Sequence, residues 1–123
     1  MQTVLVVDDE FGVAEVVQSI LEDEGYRVAT AINGKQALAR LNEVTPDLIM
    51  LDYMMPIMDG TQTLTAIRNN ATFAKLPIIM MSSLEEVSVR ETATDYDLFL
   101  RKPFRAMAVL KAVQQLLEHP PRK

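Results

Sequence analysis

The chain has 123 residues, 49% of them hydrophobic and 24% charged, with a net charge of −5 and no cysteine. That balance excludes a disordered polymer, and the lack of cysteine excludes a disulfide framework or a thiolate metal centre. The acidic balance and scattered Lys and Arg argue against direct nucleic-acid binding, and no apolar run nears the roughly 20 residues that span a bilayer.

Met1-Gln2-Thr3 carries no basic stretch ahead of strand-like residues, so a signal peptide is not expected and a cytoplasmic location is. Thr3–Val7 (TVLVV) is a β-branched apolar run, the pattern of a strand covered on both faces. Val13, Val16, Val17, Ile20 and Leu21 then recur at helical spacing, with Gly25 as the stop. Arg27–Ala31 is a weaker strand. Asn33 with Gln36 three residues on opens a second helix, facing Ala37, Leu38 and Leu41 inward, and Pro46 closes that unit.

Residues 48–51 are the second strong apolar strand. Asp59-Gly60-Thr61-Gln62 reads as another N-cap, followed by Leu64 and Ile67 on a core-facing stripe. Pro77 precedes the apolar run 78–81. Residues 84–93 are poorly patterned and predict at most a short helix. Residues 98–100 form a last strand, and Met107, Leu110, Val113, Leu116 and Leu117 stripe a helix that stops at Pro120-Pro121. Five strands alternating with five helical segments predict one α/β domain, a doubly wound parallel sheet over residues 1–119, with residues 120–123 as a tail or the start of a linker.

Ligands of open parallel sheets bind beyond the C-terminal strand ends. Asp8 and Asp9 follow the first strand, Asp52 the third, Ser82 and Ser83 the fourth, and Lys102 the fifth. Three carboxylates and one ammonium sum to −2, which a divalent cation offsets. All-oxygen ligands favour a hard ion such as Mg²⁺ over Zn²⁺. A carboxylate left over can accept a phosphoryl group as an aspartyl-phosphate, with metal, Lys and a hydroxyl offsetting charge on its oxygens.

With V-V-D-D-E at 6–10, L-D-Y-M-M-P-I-M-D-G at 51–60, M-S-S at 81–83 and L-R-K-P-F at 100–104, the chain resembles the receiver domains of two-component response regulators along nearly all its length. The resemblance implies a flavodoxin-like sheet of order 2-1-3-4-5. It implies that Asp52 accepts a phosphoryl group from a phosphohistidine on a sensor histidine kinase or phosphotransfer protein. It makes Asp8, Asp9, Asp52 and the Met54 backbone carbonyl the ligands of Mg²⁺ (or Mn²⁺), Lys102 the partner of the phosphoryl oxygens, and Ser82 the hydroxyl that reorients. Phe99 takes the aromatic switch position, and the Lys102–Pro103 bond is expected to be cis. An effector domain or separate output protein is the implied receiver of the signal, with no oligomeric state specified.

Two departures stand out. Residues 92–97 (TATDYD) lack the small Gly-Ala pair usual in the family, so the fourth helix is expected to be short or irregular. Met54 and Leu84 fill positions that tune phosphoryl lifetime, and apolar side chains there predict slow self-dephosphorylation. Two rival readings are an interaction module that is never phosphorylated and a true aspartyl-phosphate phosphohydrolase. Against the second, Met54 stands where such enzymes usually carry an acid.

Overall fold

A computed structural model of the chain describes residues 1–121. Of the expected tail, residues 122 and 123 lie outside the described part. Strands and helices alternate as β1 (Thr3–Val7), α1 (Phe11–Asp23), β2 (Arg27–Ala31), α2 (Gly34–Val44), β3 (Leu48–Asp52), α3 (Gly60–Asn69), β4 (Ile78–Ser82), α4 (Glu86–Val89), β5 (Leu98–Arg101) and α5 (Ala106–Glu118). The strands make one parallel sheet in the order β2-β1-β3-β4-β5. Among the described residues, no helix is long and apolar enough to cross a membrane.

β1, β3 and β4 are buried from end to end. Both faces of a central parallel strand are covered, so these strands read as unbroken apolar runs rather than as alternation. The pleat divides them between two cores. Leu5, Ile49 and Met80 pack with Leu41 of α2 and Ile67 of α3. Val6, Met50 and Met81 pack on the opposite face with Leu21 of α1 and Val113 of α5. Truncating a fully buried leucine such as Leu21 to Ala costs about 2–5 kcal/mol at sites of this kind.

The two expected caps are present. Asn33 Oδ1 accepts from the Gln36 N–H at 2.8 Å, and Asp59 forms a reciprocal capping box with Gln62 at the start of α3. α4 has four residues and buries only Val89. A single turn cannot sustain itself by propagation, so side chains fasten it: Tyr96 Oη donates to Glu86 Oε2 at 2.6 Å, and Arg90 donates to Tyr96 Oη at 3.3 Å. β3, β4 and β5 each run one residue further than their apolar runs. The ladder continues through Asp52↔Met81 and Ser82↔Arg101, so these polar residues end strands instead of starting loops.

Candidate functional site

Side-chain alternation decides which groups meet. Val4 and Val6 on β1, Leu48 and Met50 on β3, and Leu98 and Leu100 on β5 all face the α1–α5 core. Two residues on from each, Asp8, Asp52 and Lys102 fall on that same side. The β1–β3 register, Val7↔Leu51, sets Asp8 beside Asp52. On β4 the parity is reversed: Ile78 and Met80 face the α2–α3 core, so Ser82 falls on the face that also holds Phe99.

Lys102 Nζ lies 2.8 Å from Asp8 Oδ2, 3.1 Å from Glu10 Oε1 and 3.3 Å from Asp52 Oδ1. Asp8 is 1% exposed and Asp52 4%, so two carboxylates and an ammonium meet almost out of water. The Lys102 N–H is tied to the Ser82 carbonyl at 2.8 Å, which fixes where that side chain begins. The Lys102–Pro103 peptide bond is cis. A cavity of about 560 Å³ opens above the cluster, lined by Asp52, Ser82 and Lys102 with Val13, Met54 and Phe104.

Burial, reinforced by repulsion from Asp8 and opposed by Lys102, pushes the Asp52 carboxyl up to about 7. Burial works against the Lys102 ammonium, but its hydrogen bond to Asp8 and the charges of Asp52 and Asp8, with Glu10 adding a further bond, lift it to about 12. An acid held near neutrality by burial and a like-charged neighbour, facing a lysine in a cavity, is the kind of perturbation found at chemically active sites.

The loop after β3 is shaped by close packing. Gly60 donates its N–H to the Tyr53 carbonyl at 2.9 Å, and a Cβ on it would sit 2.6 Å from the Asp52 carbonyl oxygen. Only glycine lets α3 start this close to the backbone of Asp52.

The response regulator receiver domain model matches residues 4–114. The chain belongs to that family. The receiver domain is 35% identical over 113 residues to the protein PilG of Pseudomonas aeruginosa, covering 90% of this chain and 84% of PilG. It is also 35% identical over 116 residues to the phosphate regulon transcriptional regulatory protein PhoB of Rhizobium meliloti, covering 93% of this chain but 51% of PhoB. Among solved structures, the chemotaxis response regulator CheY4 of Vibrio cholerae superposes with a TM-score of 0.88 at 33% identity, over 95% of this chain and 99% of that one. The signal receiver domain of a signal transduction histidine kinase from Syntrophus aciditrophicus gives 0.90 at 30% identity, over 100% and 95%.

In this receiver domain Asp8, Asp52 and Lys102 converge, and Ser82 borders the same cavity, its Oγ accepting from the Leu84 N–H at 3.1 Å. Phe99 is half-buried, its ring 6.2 Å from that of Tyr96. Asp9 is not part of the carboxylate cluster. It is exposed and borders a neighbouring cavity with Tyr53, Met54 and Asp59, because the chain turns it away from Asp8 on leaving β1. Glu10 joins the cluster: oxygens of Asp8, Glu10 and Asp52 all lie within 4.8 Å of one another. Sequence reasoning passed over Glu10. The signal available was a third consecutive acid directly before a helix.

Proposed function

We propose that this receiver domain is a phosphoryl-accepting switch with Asp52 as the acceptor. The observation that carries the reading is the Asp52 carboxylate, buried at the end of β3, 3.3 Å from Lys102 Nζ and beside Asp8 at the floor of a cavity. An Asp52 oxygen attacks phosphorus as the P–N bond to a donor phosphohistidine breaks, and the departing imidazole takes up a proton. The Lys102 ammonium pairs with the phosphoryl oxygens, and the Ser82 hydroxyl hydrogen-bonds to them. A sensor histidine kinase or phosphotransfer protein is the partner this reading implies, acting on the domain in the cytoplasm.

Clustered oxygens of Asp8, Glu10 and Asp52, without a nitrogen or sulfur ligand, suit Mg²⁺ or Mn²⁺. Asp8 and Asp52, with Asp9 and the Met54 carbonyl as the family resemblance implies, are the residues that would hold it. When bound, such an ion offsets charge on the transferring phosphoryl oxygens.

Phosphorylation biases an existing equilibrium between two arrangements, read through Ser82, Phe99 and the last helices. Met54, which lines the cavity, and Leu84, two residues after Ser82, are both apolar and solvent-exposed. They offer no group to orient a hydrolytic water, so self-dephosphorylation is slow, with a lifetime well beyond seconds. The chain spans about half of PhoB, and we assign residues 1–119 to the switch and residues 120–123 to a tail or linker. A linked effector domain or a separate output protein receives the signal.

The test combines a small-molecule phosphodonor with Mg²⁺ and follows intact mass and backbone amide shifts. Wild type gains one phosphate and shifts around Ser82 and Phe99, while Asp52→Ala gains none. An unlabelled wild type, or equal labelling of Asp52→Ala, refutes the reading.

A further inference from the structure

Glu10 is the N-cap of α1, where an acidic side chain ordinarily turns back to accept from the first free amides of the helix. Here it makes no side-chain cap bond. Its backbone N–H donates to Asp8 Oδ1 at 2.9 Å, and its carboxylate reaches across the mouth of the cavity to Lys102 Nζ at 3.1 Å. The Glu10 side chain is 62% exposed, and an ion pair this open contributes little to stability. A stabilising role therefore does not account for the forgone cap.

The geometry of the ammonium does. Lysine has three N–H donors and no acceptor, and Asp8, Glu10 and Asp52 each receive one contact, at 2.8, 3.1 and 3.3 Å. Of the three acceptors, only the Asp52 carboxylate changes chemically when the domain is phosphorylated. We infer that Glu10 is a positioning residue for Lys102. Together with Asp8 it holds two of the ammonium's donors, so the third points at Asp52 and passes to a phosphoryl oxygen attached there. Glu10 itself touches no reacting atom. The inference rests on the phosphoacceptor reading above and deepens it.

Removing the Glu10 charge also makes the cavity less repulsive to anions, so the test must separate that general field from an effect through Lys102. The full chain is compared as wild type, E10Q, K102A and the double variant, titrated with beryllofluoride, a phosphoryl analogue, at saturating Mg²⁺. Affinities are read from amide shifts. If Glu10 acts through Lys102, E10Q is less favourable by about two- to fivefold with Lys102 present than in the K102A background. The same fold-change in both backgrounds overturns the inference.

A second measurement needs no analogue and decides the matter if the K102A proteins bind too weakly to titrate. The Lys102 ammonium resonance of the unphosphorylated protein should move toward the free-lysine position in E10Q. A resonance unmoved by E10Q overturns the positioning role. A wild type that takes neither phosphate nor beryllofluoride overturns the phosphoacceptor reading instead, while the ammonium comparison still decides whether Glu10 holds Lys102.

Discussion

Asp52 is held in a strained electrostatic state, and that state has a pH signature. Burial and Asp8 raise its carboxyl to about 7, well above the ordinary carboxylate range of an unfolded chain. Between those two values the native state binds the extra proton, so the stability contributed by this group is lost as pH rises toward about 7. Asp52→Asn removes the charge with little change of shape. It should stabilise the fold by about 2 kcal/mol near pH 8, with the gain shrinking to less than half near pH 5. Urea denaturation at the two pH values measures it, and a pH-independent gain contradicts the assignment. Ile57 is strained in a different way. Its φ is +70°, and the Met58 N–H donates to the Pro56 carbonyl at 2.7 Å, the bond of a γ-turn centred on a β-branched residue. Because Ile57 is 77% exposed, Ile57→Gly forfeits little packing and should gain about 0.5–1 kcal/mol from the relieved backbone, read as a rise in urea midpoint. Both features stand within six residues of each other, consistent with strain collecting at a chemically active loop. Asp52 was legible in the sequence as a carboxylate closing an apolar strand; the unfavourable φ at Ile57 was not, because side-chain type does not report backbone torsion.

At the scale of elements, what could be read depended on whether a local pattern set the structure. Unbroken apolar runs marked β1, β3 and β4, and the Asp59-to-Gln62 spacing marked the start of α3, since each of these rests on side chains close in sequence. The brevity of α4 was also visible, in a stretch with little to bury. What could not be read was how the unusual residues 92–97 are held, because their fastenings come from distant elements. Arg68 of α3, its side chain 7% exposed, donates to the carbonyls of Ala74, Leu76 and Asp95 and pairs with Asp97 Oδ2 at 3.0 Å. Asp97 Oδ2 also accepts from the Ile78 N–H at 2.8 Å, joining the start of β4 to this clamp. Arg68→Met should therefore cost about 3–5 kcal/mol, since it leaves a buried carboxylate and several carbonyls short of a donor. The fall in urea midpoint at unchanged slope gives that cost. A loss below 1 kcal/mol means that water replaces the guanidinium without penalty. Asp9, adjacent to Asp8 in sequence, borders a cavity with Met54 and Asp59, a side-chain direction that adjacency alone did not report.

Across the whole molecule, the residue after Asp52 and the α4–β5 region are joined by one hydroxyl chain. Tyr53 follows Asp52 directly, with its N–H tied to the Met81 carbonyl and its own carbonyl tied to Gly60. Its side chain faces the α2–α3 core, away from Lys102, and its hydroxyl meets Thr92 Oγ1. Thr92 Oγ1 in turn lies 3.5 Å from Thr61 Oγ1 and 3.4 Å from the carbonyl of Val89, the last residue of α4. These contacts join the β3–α3 loop at Asp52 to the end of α4, on the opposite face of the sheet from Lys102. Tyr53→Phe keeps the ring and deletes the link. In the unphosphorylated protein, amide exchange across residues 86–97 should quicken by about fivefold, the worth of a single hydrogen bond of about 1 kcal/mol. On phosphorylation, amide shifts near Asp52 and Ser82 should match those of wild type while those across residues 86–97 shrink. If the shifts of residues 86–97 stay at full size in Tyr53→Phe, the signal leaves by Ser82 and Phe99 alone. A loss of phosphoryl uptake in the same variant places Tyr53 in the acceptor chemistry rather than in the route out.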